Sequence, residues 1–131
     1  MSLAKMENSV SKRAVIIFTD IIDSSRYSAI LGIEQYARNI LIFQDTFKII
    51  SNKYFCNNKN LKGFCKCEPQ GDEGAIFIVP DGNNYDPTEI IYLAIHYAFE
   101  LKDCLSNNLS EHISMKKMQI ATGIHFGEVA T

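Results

Sequence analysis

A one-sided helix limits this fold more than any other feature of the chain. Over residues 34–55, Tyr36, Ile40, Phe43, Phe47, Ile50 and Tyr54 recur at intervals of four, three, four, three and four. That spacing gathers them into one stripe and predicts an amphipathic helix with its apolar side on a core. A second helix is predicted from Asp86, where three start signals coincide. Asp86 is an acid able to cap, Pro87 takes the first helical position, and Glu89 follows three residues after the cap. Its stripe is Ile90, Leu93, Ala94, Tyr97, Ala98, Leu101 and Leu105.

The strands supply what such helices cover. Residues 13–21, RAVIIFTDI, are a short, continuous, β-branched run and read as a strand buried on both faces. Asp23 or Ser24 can cap a short helix that brings the chain to Gly32. Residues 61–68 and 74–80 read as strands joined by PQGD, a turn containing Pro69 and Gly71. In MQIATGIHF, 118–126, Met118, Ile120, Thr122, Ile124 and Phe126 alternate with Gln119, Ala121, Gly123 and His125, as in a strand. The order β-α-α-β-β-α-β suits an α+β sandwich of ferredoxin-like, palm type, with an antiparallel sheet and helices on one face. In that arrangement the first and third strands are antiparallel neighbours. Asp20 and Asp72, far apart in sequence, come side by side.

Composition removes several classes of function. With 131 residues, 47% hydrophobic and 21% charged, the chain suits one soluble domain with one core. A net charge of −2 leaves no broad footprint for nucleic acid or an anionic membrane. No apolar run approaches the roughly 20 residues of a membrane span, and the first dozen residues carry no signal segment. Residues 1–12 are expected to be a tail, with Met-Ser-Leu an expression scar and the natural start near Met6. Residues 13–131 are the domain, and its expected location is the cytoplasm. Cys65 and Cys67 share a strand face, but a zinc site needs two further ligands. No Cys-x-x-Cys or His pair offers them, so these two, Cys56 and Cys104 are expected to be free thiols.

The apolar run of the first strand ends in an acid. Two carboxylates at adjacent strand ends repel unless a cation lies between them. Mg²⁺ typically takes one or two protein carboxylates and completes its shell with water and substrate phosphate. The amides after Ile21 open a helix N-terminus, which favours a phosphate, and Ser24 and Ser25 are candidate donors to it. The same spacing also fits a plainer reading, with Asp20 capping the next helix and Asp72 a hairpin-turn residue. Spacing alone does not choose between them.

Three motifs now stand in order. FTDIIDSSRYSAILG resembles the first signature of the class III adenylyl and guanylyl cyclase catalytic domains, F-x-D-I-x-x-S/F-T before a short helix. QGDEGAIFIV is similar to their second, a Gly-Asp pair on the central hairpin. ATGIHFGEV is similar to their third, x-x-G-I-H-x-G-x-V. The likeness covers roughly residues 13–131. It implies that Asp20 and Asp72 carry two Mg²⁺ or Mn²⁺ ions, with the Ile21 carbonyl as a further ligand. The implied reaction closes ATP or GTP to cAMP or cGMP and releases pyrophosphate. One ion lowers the pKa of the ribose 3′-hydroxyl, and both steady the α-phosphate. The implied assembly is a homodimer or a heterodimer with another cyclase domain, with the nucleotide between two chains.

The departures from the pattern also carry expectations. Glu68 stands where adenylyl cyclases carry an adenine-reading Lys and guanylyl cyclases a Glu. A carboxylate accepts hydrogen bonds from guanine N1 and N2, so Glu68 points to GTP. The plain alternative is a solvated residue at a hairpin end. Asp23 replaces a common Gly and is read as a helix cap. The transition-state Asn and Arg that follow the third signature in the family find no counterpart. The resemblance therefore implies a domain truncated at its C-terminal end and weakly active at best, since removing one such electrostatic group commonly costs on the order of 10²-fold or more in rate. His125 is read as structural, His96 as a packing or boundary residue, and His112 as a loop residue.

Rival readings are a non-catalytic cyclase-like nucleotide-binding or dimerisation module and a plain α+β domain. QGDEGAIFIVPD also resembles the G-G-D-E-F loop of diguanylate cyclases, with Gln70 for the first Gly and Gly74 for the Phe.

Overall fold

Alternating side chains build the strands of the computed structural model, which describes residues 12–22, 26, 29–30, 32–81, 86–109 and 119–129. The strands are β1, Lys12–Ile21; β2, Gly63–Gln70; β3, Glu73–Pro80; and β4, Ile120–Val129. Two long helices, α1 (Ile33–Ser51) and α2 (Pro87–Leu109), connect them, and a π-helical turn, Asn52–Cys56, extends α1. The sheet order is β2-β3-β1-β4, with every neighbouring pair antiparallel. This is the expected ferredoxin-like arrangement, with β3 between β1 and β2. The short helix expected after Asp23, together with Met118 and His112, falls largely or wholly outside the described residues.

Both helices cover the same face of the sheet. Val15, Ile17, Ile76 and Ile78 are buried against Phe43, Phe47 and Ile50 of α1 and Ile90, Ala94, Tyr97, Leu101 and Leu105 of α2. The two helical stripes therefore lie where their spacing put them, except that Tyr36, at the start of the first, is half-buried outside the core cluster. One shift occurs at the end of α1. A π turn winds more slowly than an α turn, so Phe55 rather than Tyr54 becomes fully buried and meets the Tyr97 ring edge-on at 5.7 Å. Asp86 caps α2 as expected: the Thr88 amide donates to its Oδ1 at 2.9 Å. Among the described residues no helix is long and apolar enough to cross a membrane.

Three expectations are corrected. β1 is buried along its whole length on one face only; on the other face Ala14 is buried, but Phe18 is 50% exposed. A continuous apolar run does not reveal whether a second layer covers it. The hairpin is tighter than PQGD: Gln70 pairs with Glu73, leaving Gly71 and Asp72 as the turn, with Gly71 at φ +60°. Pro69 stays within β2, an edge strand, where a missing amide donor is tolerated. The thiols also differ. The π turn brings Cys56 over β2, where it is disulfide-bonded to Cys65, and its Sγ lies 3.1 Å from that of Cys67. Cys67 and Cys104 are free. Burial pushes the Cys67 thiol above its ordinary pKa, and a hydrogen bond with Ser51 partly offsets this.

Candidate functional site

Alternation along β1 decides where its terminal acid points. Val15, Ile17, Thr19 and Ile21 face the helices and are buried, so Ile16, Phe18 and Asp20 line the other face. Neither α1 nor α2 covers that face, and Asp20 is exposed on it. The apolar run can end in a carboxylate because the carboxylate lies outside the core.

The register then arranges the open face in rows. Ala121, Asp20, Glu73 and Gln70 form one row across the four strands; Gly123, Phe18, Ala75 and Glu68 form the next; His125, Ile16, Phe77 and Lys66 the third. Asp20 thus has Glu73 directly opposite. The amide of Ile21 donates to the carbonyl of Asp72 at 3.1 Å, so Asp72 adjoins the end of β1 as the topology predicts. The Ile21 side chain is buried, which leaves only its backbone to serve the site. Three carboxylate residues therefore crowd two adjacent strand ends. Like charges directly opposite on a sheet are destabilising, and among the described residues no ion pair compensates Asp20 or Glu73. Small residues beside them, Ala121, Gly123 and Gly74, leave an open depression of about 420 Å³, bounded also by Phe18, Asp20 and Glu73.

The helices hold this corner from beneath. Gln44 of α1 donates to the Gly71 carbonyl at 3.1 Å. The Phe47 ring occupies the space beside Gly74, where an added Cβ would come within 2.5 Å of it. From α2, the Tyr97 hydroxyl meets Thr19 Oγ1 at 2.8 Å, one residue before Asp20. Burial raises the Tyr97 phenol far above its ordinary pKa, and the Thr19 hydrogen bond only partly offsets this.

Of the residues singled out in the sequence, Asp20, Ile21 and Asp72 are brought together. Glu68 lies one row along and two strands away from Asp20, about 12 Å by the standard strand spacing and rise. Its Oε2 is 3.6 Å from Lys66 Nζ on the same exposed face. Ser24, Ser25 and Asp23 lie outside the described residues. His125 is on the open face, two rows from Asp20, and His96 is exposed against the Tyr92 ring. Glu73 and the Thr19–Tyr97 pair went unnoticed in the sequence. A two-residue turn at Gly71–Asp72 would have revealed Glu73 by alternation. Nothing local signals that Tyr97 reaches Thr19.

No family model and no curated protein matches the chain. Solved structures do. The adenylyl cyclase CyaB from P. aeruginosa superposes with a TM-score of 0.68 at 19% identity, covering 90% of this chain and 57% of that one. The chain has the nucleotide cyclase fold. The guanylyl cyclase Cya2 matches at TM-score 0.60 and 12% identity, over 91% of this chain and 56% of that one. A bacterial light-regulated adenylyl cyclase matches at 0.61 and 15%, over 91% and 55%. The cyclase-fold chain thus spans a little over half the length of these structures. The three motifs lie on β1 and the residues after it, on the β2–β3 hairpin and on β4.

Proposed function

We propose that this domain supplies the metal- and nucleotide-binding corner of a nucleotide cyclase, which forms cAMP or cGMP and pyrophosphate from ATP or GTP. The observation that carries the reading is the meeting of Asp20 with the Asp72–Glu73 hairpin end on an open sheet face. Carboxylates gathered on neighbouring strand ends are hard oxygen donors, and they fit Mg²⁺ or Mn²⁺. Asp20, Asp72 and the Ile21 carbonyl would hold two such ions, with Glu73 the nearest additional carboxylate. When bound, the ions acidify the ribose 3′-hydroxyl and offset charge on the α-phosphate.

The chain's own residues do the positioning. The small side chains of Ala121, Gly123 and Ala75 let a ligand approach the sheet. Exposed Phe18 offers an apolar surface for it, and Ser24 and Ser25 are the proposed phosphate donors. Glu68, in the Phe18 row, is the proposed acceptor for guanine N1 and N2. The open face forms one wall of a site, and a homodimer or a heterodimer with another cyclase domain would place the nucleotide between two chains. Gly74 weighs against a diguanylate-type site, because the position of that motif's Phe is already filled by Phe47.

Calorimetry with ATP and GTP, with and without Mn²⁺, tests this on the wild type and Asp20→Asn. The expected result is Mn²⁺-dependent binding that the substitution abolishes. Equal affinity without metal, or in the variant, would refute the carboxylate site. Pyrophosphate measured in the same samples separates an enzyme from a binding module, which would bind without releasing it.

A further inference from the structure

The covered face of β2 carries a second cluster of opposite chemistry. Cys65 and Cys67 lie there, facing Ile78 and Ile76 across the ladder, and the π turn places Cys56 above them. The three sulfurs all lie within 4.8 Å of one another and are half-buried. An ion bonded to thiolates at about 2.3 Å holds pairs of sulfurs roughly 4 Å apart, so one ion can reach all three with small movements. The cluster contains no carboxylate or imidazole. Ser51, fully buried, places its hydroxyl beside Cys67. An all-sulfur set discriminates against Mg²⁺, Ca²⁺ and Mn²⁺ and favours thiophilic ions.

We propose that, once reduced, Cys56, Cys65 and Cys67 form a three-thiolate site for one d¹⁰ ion, Zn²⁺ or Cu⁺. In the structure Cys56 and Cys65 are joined, so reduction opens the site. A dithiol passes two electrons and two protons to the Cys56–Cys65 bond, giving two thiols and becoming a disulfide itself. The incoming ion then displaces the three thiol protons. Three protein ligands leave one position for water around Zn²⁺ and complete a trigonal shell around Cu⁺. The bound ion would tie the end of α1 to the edge strand that carries Glu68 on its other face. The site stands independently of the cyclase reading, because its sulfurs lie on the opposite side of the sheet from Asp20.

The test uses the full chain reduced with a phosphine, with Co²⁺ as the spectroscopic probe for the Zn²⁺ arm. The Cu⁺ arm is a competition against a chromophoric Cu⁺ chelator. Expected in the Co²⁺ arm is a saturable thiolate-to-metal charge-transfer band at one ion per chain, displaced by Zn²⁺ and absent from the oxidised chain. Cys67→Ser should weaken affinity at least tenfold, and Cys104→Ser should leave it unchanged. Thiol counting on the wild type needs no variant. Four cysteines should react in the reduced apo chain and one after loading with the ion that binds. No saturable binding in either arm, two or more reactive thiols after loading, or binding lost in a folded Cys104→Ser variant would overturn the proposal.

Discussion

Removing the hydroxyl of Thr19 should cost more than removing that of its partner, Tyr97. The two meet at 2.8 Å, Thr19 is 1% exposed and Tyr97 0%. Thr19→Val keeps the shape and the β-branch but leaves a buried phenol without its partner, a loss of about 1–3 kcal/mol. Tyr97→Phe leaves the Thr19 hydroxyl with a second neighbour, Thr122 Oγ1 at 3.5 Å. That change should cost only about 0.5–1.5 kcal/mol. The double variant replaces both polar groups by apolar ones and should be less destabilised than the sum of the singles. Urea unfolding reads all three. With a slope near 2 kcal/mol/M, Thr19→Val should lower the midpoint by about 1 M. Because Thr19 precedes Asp20, Mn²⁺-dependent nucleotide affinity should fall in Thr19→Val as well. Additive single effects, or a larger loss in Tyr97→Phe, would show that this contact does not anchor the end of β1 as described.

Three further outcomes follow from the same geometry. Gly74→Ala drives a Cβ into the buried Phe47 ring. It should cost about 1–3 kcal/mol by overpacking, and distinctly less in a Phe47→Leu background, as urea midpoints would report. Burial raises the Tyr97 pKa in the fold, so above about pH 10 the unfolded chain loses that proton first. Stability should then fall as pH rises, by up to about 1.4 kcal/mol per unit, and Tyr97→Phe should remove this part of the slope. Glu68→Gln touches only an exposed ion pair with Lys66. It should change stability by less than about 0.5 kcal/mol, while calorimetry shows a reduced preference for GTP over ATP.

The amino-acid sequence by itself determined which residues share a side. Side-chain periods of about 3.6 and 2 are properties of the backbone, so both helical stripes, the alternation of β4 and the Asp86 cap could be read locally. The ferredoxin-like order, and with it the approach of Asp20 to Asp72, followed from element order and the few topologies that such an order allows. Only the tertiary structure decided which face of β1 stays open. Periodicity separates two faces without saying which one a helix will cover, so the run Ala14–Phe18 read as wholly buried while Phe18 lies half-exposed. Register had the same origin: moving the turn to Gly71–Asp72 set Glu73 opposite Asp20. The sulfur cluster depended on a π turn, which displaces every residue after Ser51 from the α-helical phase. That displacement brings Cys56 onto β2, where packing rather than spacing placed the three sulfurs together.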